Sequence, residues 1–204
     1  KGTVELVNPP EVLLMTSEKL EQALIGDLLP FSVVSSRWTD LSEFGLSEKL
    51  TILKPLNDVQ SHGVELLDWR TPQEIERARH SLQTATDNFL SPVMLQRYLP
   101  QILEGETRLW FIDGELLASA KKRSRSGTYR INMDEGDILV CSSLSDAEHR
   151  ASIEIGKRLR TKKIRLAAAD LIDGQVTDFN FMSPGLLPAF EQVLDRNLAK
   201  EVVE

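Results

Sequence analysis

Ala167-Ala-Ala-Asp-Leu-Ile-Asp-Gly-Gln-Val-Thr-Asp-Phe-Asn-Phe-Met-Ser-Pro184 carries an apolar run with one acid, Asp170, into an Asp173-Gly174 turn and returns with Asp178 and Asn180. Asp-Gly between two apolar runs predicts a β-hairpin. Strand side chains alternate faces, so Asp178 and Asn180 share one face while Thr177, Phe179 and Phe181 take the other. A two-residue loop puts Asp170 opposite to that polar face. A three-residue loop, Ile172 to Gly174 with Gly174 in the left-handed region, puts Asp170, Asp178 and Asn180 together. Two carboxylates and an amide oxygen then suit a hard cation such as Mg²⁺. A hairpin with a plain solvated polar face is the alternative.

Composition bounds what lies around this hairpin. The chain has 204 residues, 41% apolar and 27% charged, enough for one large domain or two small lobes. A net charge of −7 argues against general nucleic-acid or anionic-membrane binding. Cys141 is the single cysteine, which excludes an internal disulfide and a cysteine zinc site. His62, His80 and His149 are too scattered for a histidine zinc motif. No apolar run approaches the ~20 residues of a membrane span, and no signal peptide is visible. A soluble, cytoplasmic protein is expected. Lys1 is not a natural initiator, so a fragment or processed product is expected as well.

Working outward, residues 1–15 read as an extended leading segment broken by Pro9-Pro10. Thr16 or Ser17 caps a helix over 18–29, stopped by Pro30. Runs 31–36, 50–53 and 64–69 are β-prone. Thr71-Pro72-Gln73-Glu74 opens a helix to Leu82 or beyond with an N-cap, a proline at the first position and a capping-box Glu. Runs 93–99 and 107–112 are strand candidates, and Asp113-Gly114 turns the second into 115–120. Residues 121–137 read as an exposed loop. Ser145-x-x-Glu148 opens a helix to about Thr161, and 188–203 is helical. The class is α+β, in two lobes: a leading segment 1–15, a small lobe 16–95 and a large lobe 96–204 carrying the Asp170 hairpin.

Several residues in this frame carry charge where phosphate chemistry would need it. Lys54 ends an apolar run before Pro55, and a lysine there meets phosphate as a point charge, or simply solvent. Lys19 sits on the first helix. Gln96-Arg97-Tyr98-Leu99-Pro100 leaves the core between lobes, either as a linker or with backbone groups offered to a purine edge. In Gly105-Glu106-Thr107-Arg108, Glu106 suits a ribose hydroxyl and Arg108 a phosphate or carboxylate; charges flanking a turn are the plain alternative. Lys121, Lys122, Arg123, Arg125 and Arg130 form the densest basic cluster, read as polyphosphate-binding or as a solvated loop. With only Tyr129 nearby to stack on a base, nucleic acid is set aside. Arg130-Ile131-Asn132 follows in the same stretch.

The order of these runs resembles the ATP-grasp superfamily, and in particular the prokaryotic glutathione synthetases. The resemblance covers about Leu6 to Leu194. It rests on Ser17-Glu18-Lys19-Leu20, Ile52-Leu53-Lys54-Pro55-Leu56, Gln96 to Pro100, Gly105 to Arg108, Ile112-Asp113-Gly114-Glu115 and Asp170 to Pro184. It implies a two-lobed ATP-grasp fold of antiparallel sheets flanked by helices, with the nucleotide site between the lobes. Lys19 and Lys54 would meet phosphates, the Gln96, Arg97, Tyr98, Leu99 segment the adenine, and Glu106 the ribose. Asp170, Asp178 and Asn180 would hold Mg²⁺, with Mn²⁺ as a substitute ion. Arg108, Arg130 and Asn132 would act on the transferring phosphate and the acyl group. The activity implied is ATP- and Mg²⁺-dependent carboxylate–amine ligation through an acylphosphate. The partners implied are ATP and a small carboxylate, amine or peptide, in a homo-oligomer.

The chain departs from that pattern in three places. The glycine-rich loop reads Asn57-Asp58-Val59-Gln60-Ser61-His62-Gly63, which hinders close backbone approach to phosphate. Asp178 stands where the family usually has a glutamate. The family's N-terminal substrate-binding domain is absent from the 204 residues. A nucleotide- or partner-binding module without ligation is therefore the competing reading.

Overall fold

The computed structural model describes residues 6–15, 18–23, 26–56, 63–131 and 137–203. These form two compact units, one of residues 30–99 and one of the described residues on either side of it. That division departs from the expected 16–95 and 96–204. The helix α2 (Glu18–Ala23) belongs with the later unit because its charged residues are tied to that unit's last strand and long helix.

In the 30–99 unit, β1 (Ser32–Ser35), β2 (Leu50–Pro55), β3 (Glu65–Asp68) and β4 (Val93–Arg97) form an antiparallel sheet ordered β1-β4-β2-β3. Helices α3 (Trp38–Glu48) and α4 (Pro72–Ala85) supply Leu41, Phe44, Ala78 and Leu82 to a core shared with Leu53, Leu67, Trp69, Val93 and Leu95. Thr71 caps α4 as its sequence predicts, its hydroxyl accepting from the Glu74 N–H at 3.3 Å. The Glu74 carboxylate turns instead to Arg77. α3 has no side-chain cap, and sequence reading does not find it.

The other unit holds an antiparallel sheet of β5 (Glu106–Ile112), β6 (Glu115–Arg123), β7 (Ile138–Val140), β8 (Leu166–Ile172) and β9 (Gln175–Asn180), ordered β7-β6-β5-β8-β9. Its helices are α1 (Pro10–Met15), α2, α5 (Asp146–Lys162), α6 (Leu187–Leu194) and α7 (Leu198–Val203). α1 replaces the expected extended start, with Pro10 at the first helical position where no N–H is missed. The helix expected over 18–29 is not continuous: Gly26, at φ 63°, opens a short 3₁₀ turn, Gly26–Leu28. The expected caps Thr16 and Ser17 lie outside the described residues. β6 runs to Arg123, so Lys121 and Lys122 belong to a strand rather than to the expected loop.

The two sheet faces differ. One carries Leu109, Phe111, Ala167, Ala169, Leu171, Val176 and Phe179 against Ala151, Ile155 and Leu159 of α5. The other carries Trp110, Ala118, Ala120 and Ala168 under Phe190 and Leu198. α5 begins with the predicted capping box and passes close to both hairpin turns. A Cβ added at Gly174 would come within 2.8 Å of Ala147 Cβ, and one added at Gly156 would overlap the Gly114 carbonyl oxygen. Asn8 fastens the N-terminal segment to the same sheet. Its amide nitrogen donates to the carbonyls of Leu166 and Phe181, both at 2.7 Å. Its oxygen accepts from the Arg165 and Leu166 N–H groups.

Replacing Gly156 by Ala pushes a methyl group into the Asp113-Gly114 turn. Overpacking of this kind costs about 1–3 kcal/mol. Urea denaturation of Gly156→Ala is expected to show a lower midpoint with an unchanged slope; an unchanged midpoint would mean the helix-to-turn contact is not tight.

Candidate functional site

The hairpin that opened the sequence reading turns through two residues. Asp173 at φ 50° and Gly174 at φ 75° fill both central positions, the signature of a type I′ turn. By itself such a loop separates Asp170 from Asp178. The pairing, however, steps from Leu171↔Val176 to Asp170↔Asp178, leaving Thr177 as an extra residue. This β-bulge flips the alternation, and Asp170, Asp178 and Asn180 end on one face. They converge as expected, by a bulge rather than by a three-residue loop. The β5–β6 hairpin repeats the plan: Asp113 and Gly114 turn, and Leu117 is the extra residue between Phe111↔Leu116 and Trp110↔Ala118.

That face is apolar at one end and charged at the other. Arg108 lies directly across from Asp170 and grips it with two hydrogen bonds, Nε to Oδ1 at 2.7 Å and Nη2 to Oδ2 at 2.6 Å. Its Nη1 donates to the Gly185 carbonyl at 3.2 Å. Lys122, opposite Glu106 on β6, places its ammonium 2.9 Å from Asp170 Oδ2 and 2.7 Å from Glu106 Oε2. The Thr177 hydroxyl donates to Glu106 Oε1 at 2.8 Å, so both oxygens of the expected ribose acceptor are taken. Asp170 is 3% exposed and Lys122 6%. Burial alone would push the Asp170 carboxyl up; Arg108 and Lys122 outweigh it and hold that carboxyl well below the usual carboxylate range.

Asp178 is more open and takes Lys19 Nζ at 2.8 Å. Lys19 reaches it because α2 covers the edge strand β9 and is anchored on both sides. Glu18 Oε1 accepts from the N–H groups of Phe181 and Met182, at 2.6 and 2.8 Å. Glu21 pairs with Arg158 at 2.9 Å and Lys162 at 2.8 Å on α5. Burial raises the Glu21 pKa, but hydrogen bonds and charge from Lys162 and Arg158 prevail and lower it.

The remaining expected residues divide between the units. In residues 30–99, buried Lys54 donates to Gln96 Oε1 at 2.9 Å, and Gln96 Nε2 donates to Ser32 Oγ at 3.2 Å. Arg97 pairs with Glu48 and lies over the Phe31 ring, 5.7 Å from its centroid. The Tyr98 N–H donates to the Leu50 carbonyl, and Leu99 is buried. In the other unit Arg130 is exposed with its guanidinium over the Tyr129 ring. Asn132, and the loop residues Asn57 to His62, lie outside the described residues. Lys122 is the site residue that sequence reading misplaced. The signal was present: Ala118, Ala120 and Lys122 alternate on one strand face.

The oxygen set Asp170, Asp178 and Asn180 does not fit a divalent ion as arranged. Oδ2 of Asp170 already accepts from two cations and Oδ1 from one. Among the described residues no group of three His, Cys, Asp or Glu side chains is placed to hold a metal. Three acids, Glu106, Asp170 and Asp178, are matched by three cations, Lys19, Arg108 and Lys122. The face also has donors to spare. Among the described residues, the buried side-chain polar atoms without a partner are Trp110 Nε1 and Asn180 Nδ2. Both pair across the sheet with Ala168. The arrangement is chemically suited to oxygen acceptors such as phosphate or carboxylate.

A family model described as prokaryotic glutathione synthetase, ATP-grasp domain, matches residues 18–195. The glutathione synthetase of Prochlorococcus marinus (strain MIT 9313) is 28% identical over 203 residues, covering 100% of this chain and 65% of that protein. The chain thus spans less than two thirds of the length of such curated relatives. D-cycloserine synthetase superposes with TM-score 0.69 at 18% identity, over 97% of this chain and 72% of that one. An ATP-grasp ligase solved with a phosphomimetic variant of its minimal precursor, Mg and ADP gives TM-score 0.68 at 15% identity, over 96% and 59%. No described helix is long and apolar enough to cross a membrane.

Two stability predictions follow from these contacts. Asp170→Asn strips the counter-charge from two buried cations, and breaking a buried pair costs about 3–5 kcal/mol. Asp178→Asn, at a partly exposed pair, should cost under about 1 kcal/mol. Chemical denaturation of the two variants checks the order. The lowered pKa of Glu21 means that its stabilisation is present above the unfolded carboxylate value of about 4.3 and fades as pH falls below it. The difference in melting temperature between the protein and Glu21→Gln is therefore expected at pH 7 and should shrink as pH is lowered below that value.

Proposed function

The chain belongs to the ATP-grasp domain family of the prokaryotic glutathione synthetases, and from that membership we propose that it is the nucleotide-using part of an ATP-dependent carboxylate–amine ligase. The observation that carries this reading is the gathering of Arg108, Lys122 and Lys19 on one sheet face inside the matched region. In the proposed reaction a substrate carboxylate oxygen attacks the γ-phosphorus of ATP. The bond to the β–γ bridging oxygen breaks, and ADP leaves with an acylphosphate remaining. An amine then attacks the acyl carbon, phosphate departs with the electron pair, and an amide is formed. Such transfer needs positioning and positive charge more than a protein nucleophile.

Lys19 and Lys54 take the ATP phosphates in this reading, and the Gln96 to Leu99 segment takes the adenine. Arg108, locked by Asp170 and the Gly185 carbonyl, is a rigid cation beside the transferring group. Arg130 and Asn132 act on the phosphate and acyl oxygens. The substrates are a small carboxylate and an amine or peptide. A binding module without ligation is the second reading, and the commitment of Asp170 to Arg108 and Lys122 favours it.

Calorimetric titration with ATP tests the nucleotide assignment. Micromolar binding is expected, weakened about tenfold or more in Lys54→Ala by loss of a charge-assisted contact. No heat at millimolar ATP would sink the ligase reading and reduce the second to a partner-binding module. ATP binding with no ADP formation in the presence of carboxylates and amines would leave the second.

A further inference from the structure

We propose that the Lys122 ammonium is a resident cation standing where a divalent ion would otherwise bridge Glu106 and Asp170, so that this face binds anionic oxygens without metal. The inference deepens the ligase reading by naming the charge that meets the phosphate, and it rests on the contacts of one side chain. Lys122 is buried in β6, an ammonium held between two carboxylate oxygens at 2.7 and 2.9 Å. Thr177 fills the other oxygen of Glu106, and Arg108 fills the rest of the Asp170 fork. A Mg²⁺ ion asks for oxygens in near-ideal octahedral geometry at about 2.1 Å. Here it would have to displace a salt-bridged ammonium and sit beside a guanidinium, in surroundings where like charges are poorly screened.

Among the described residues, two donors of this face lack acceptors. The buried donors Trp110 Nε1 and Asn180 Nδ2 have no partner among the described residues and lie in one row across the sheet, next to the row of Arg108, Asp170 and Asp178. Buried donors are normally satisfied, so a row of orphans beside three cations calls for the oxygens of an anion. Phosphate then meets Lys122, Arg108 and Lys19 directly, and Asp170 serves to position them.

Mn²⁺ alone, followed by electron paramagnetic resonance, tests this without nucleotide. The protein is expected to leave Mn²⁺ free up to about millimolar concentration, where bare carboxylate sites bind weakly. Lys122→Met keeps the apolar stem, frees Glu106 Oε2 and takes one of the two cations off Asp170 Oδ2, and should bind Mn²⁺ at least about tenfold more tightly. Lys122→Gln, a polar substitute should the first variant not fold, should do the same. Adding Glu106→Gln to either should return the affinity toward that of the parent. Tight Mn²⁺ binding by the parent would overturn the proposal, as would folded Lys122 variants that gain none. Because ATP is left out, a chain that proves unable to bind nucleotide sinks the ligase reading and leaves this result standing.

Discussion

A buried carboxylate gripped by two cations sets the terms for the larger unit. Taking Asp170, Arg108 and Lys122 out of water is costly for each ion, and only their mutual geometry repays it. The three side chains come from adjacent strands, β8, β5 and β6, so the network forms only when those strands are in register. A slip of any one of these strands by one residue would send its charge to the face now filled by Leu109 and Phe111. The network therefore acts as a register lock. Its members cannot be exchanged singly without leaving an uncompensated charge in the interior.

The lock also explains why the polar half of the sheet keeps its shape while facing away from the main core. On the opposite face, apolar side chains bury themselves against α5 with no directional demand. On this face the directional bonds of Arg108 to Asp170 and to the Gly185 carbonyl fix both a strand and the segment leading into α6. At the edge, α2 does for β9 what a further strand would otherwise do. Six residues are too short to be stable alone, and the helix is held by Glu18, Lys19 and Glu21 acting in three directions.

Much of this was legible in the sequence where local chemistry decides the outcome. The two Asp-Gly turns, the caps at Thr71 and Ser145, and the shared face of Asp178 and Asn180 each depend on residues within a few positions of one another. The six family runs then ordered these pieces into an ATP-grasp chain, which the family match over 18–195 supports. What was not legible depends on partners far along the chain. Lys122 looks like a member of a solvated basic run until Glu106 and Asp170 are placed beside it. Asn8 looks like a polar residue before a proline pair, and its four partners lie at residues 165, 166 and 181. α3 has no cap and no proline to announce it, and the burial of Leu41 and Phe44 against Trp69 is what makes it a helix worth forming.

Thr177 gives the site an unusual dependence on one bulge. The register of β8 and β9 steps past this residue, and that step decides which way every later side chain of β9 points. The acid at Asp178 thus owes its place to the bulge before it, and not to its chemistry. Take Thr177 out, and a regular two-residue hairpin would set Asp178 across from Asp170 all the same; straighten the bulge with Thr177 kept, and the strand would offer Phe179 and Phe181 to the charged face and its acid and amide to the oily one. Straightening the bulge would undo the site with every residue in it still present, so this short strand depends on a local backbone shape that no inventory of its amino-acid types reveals.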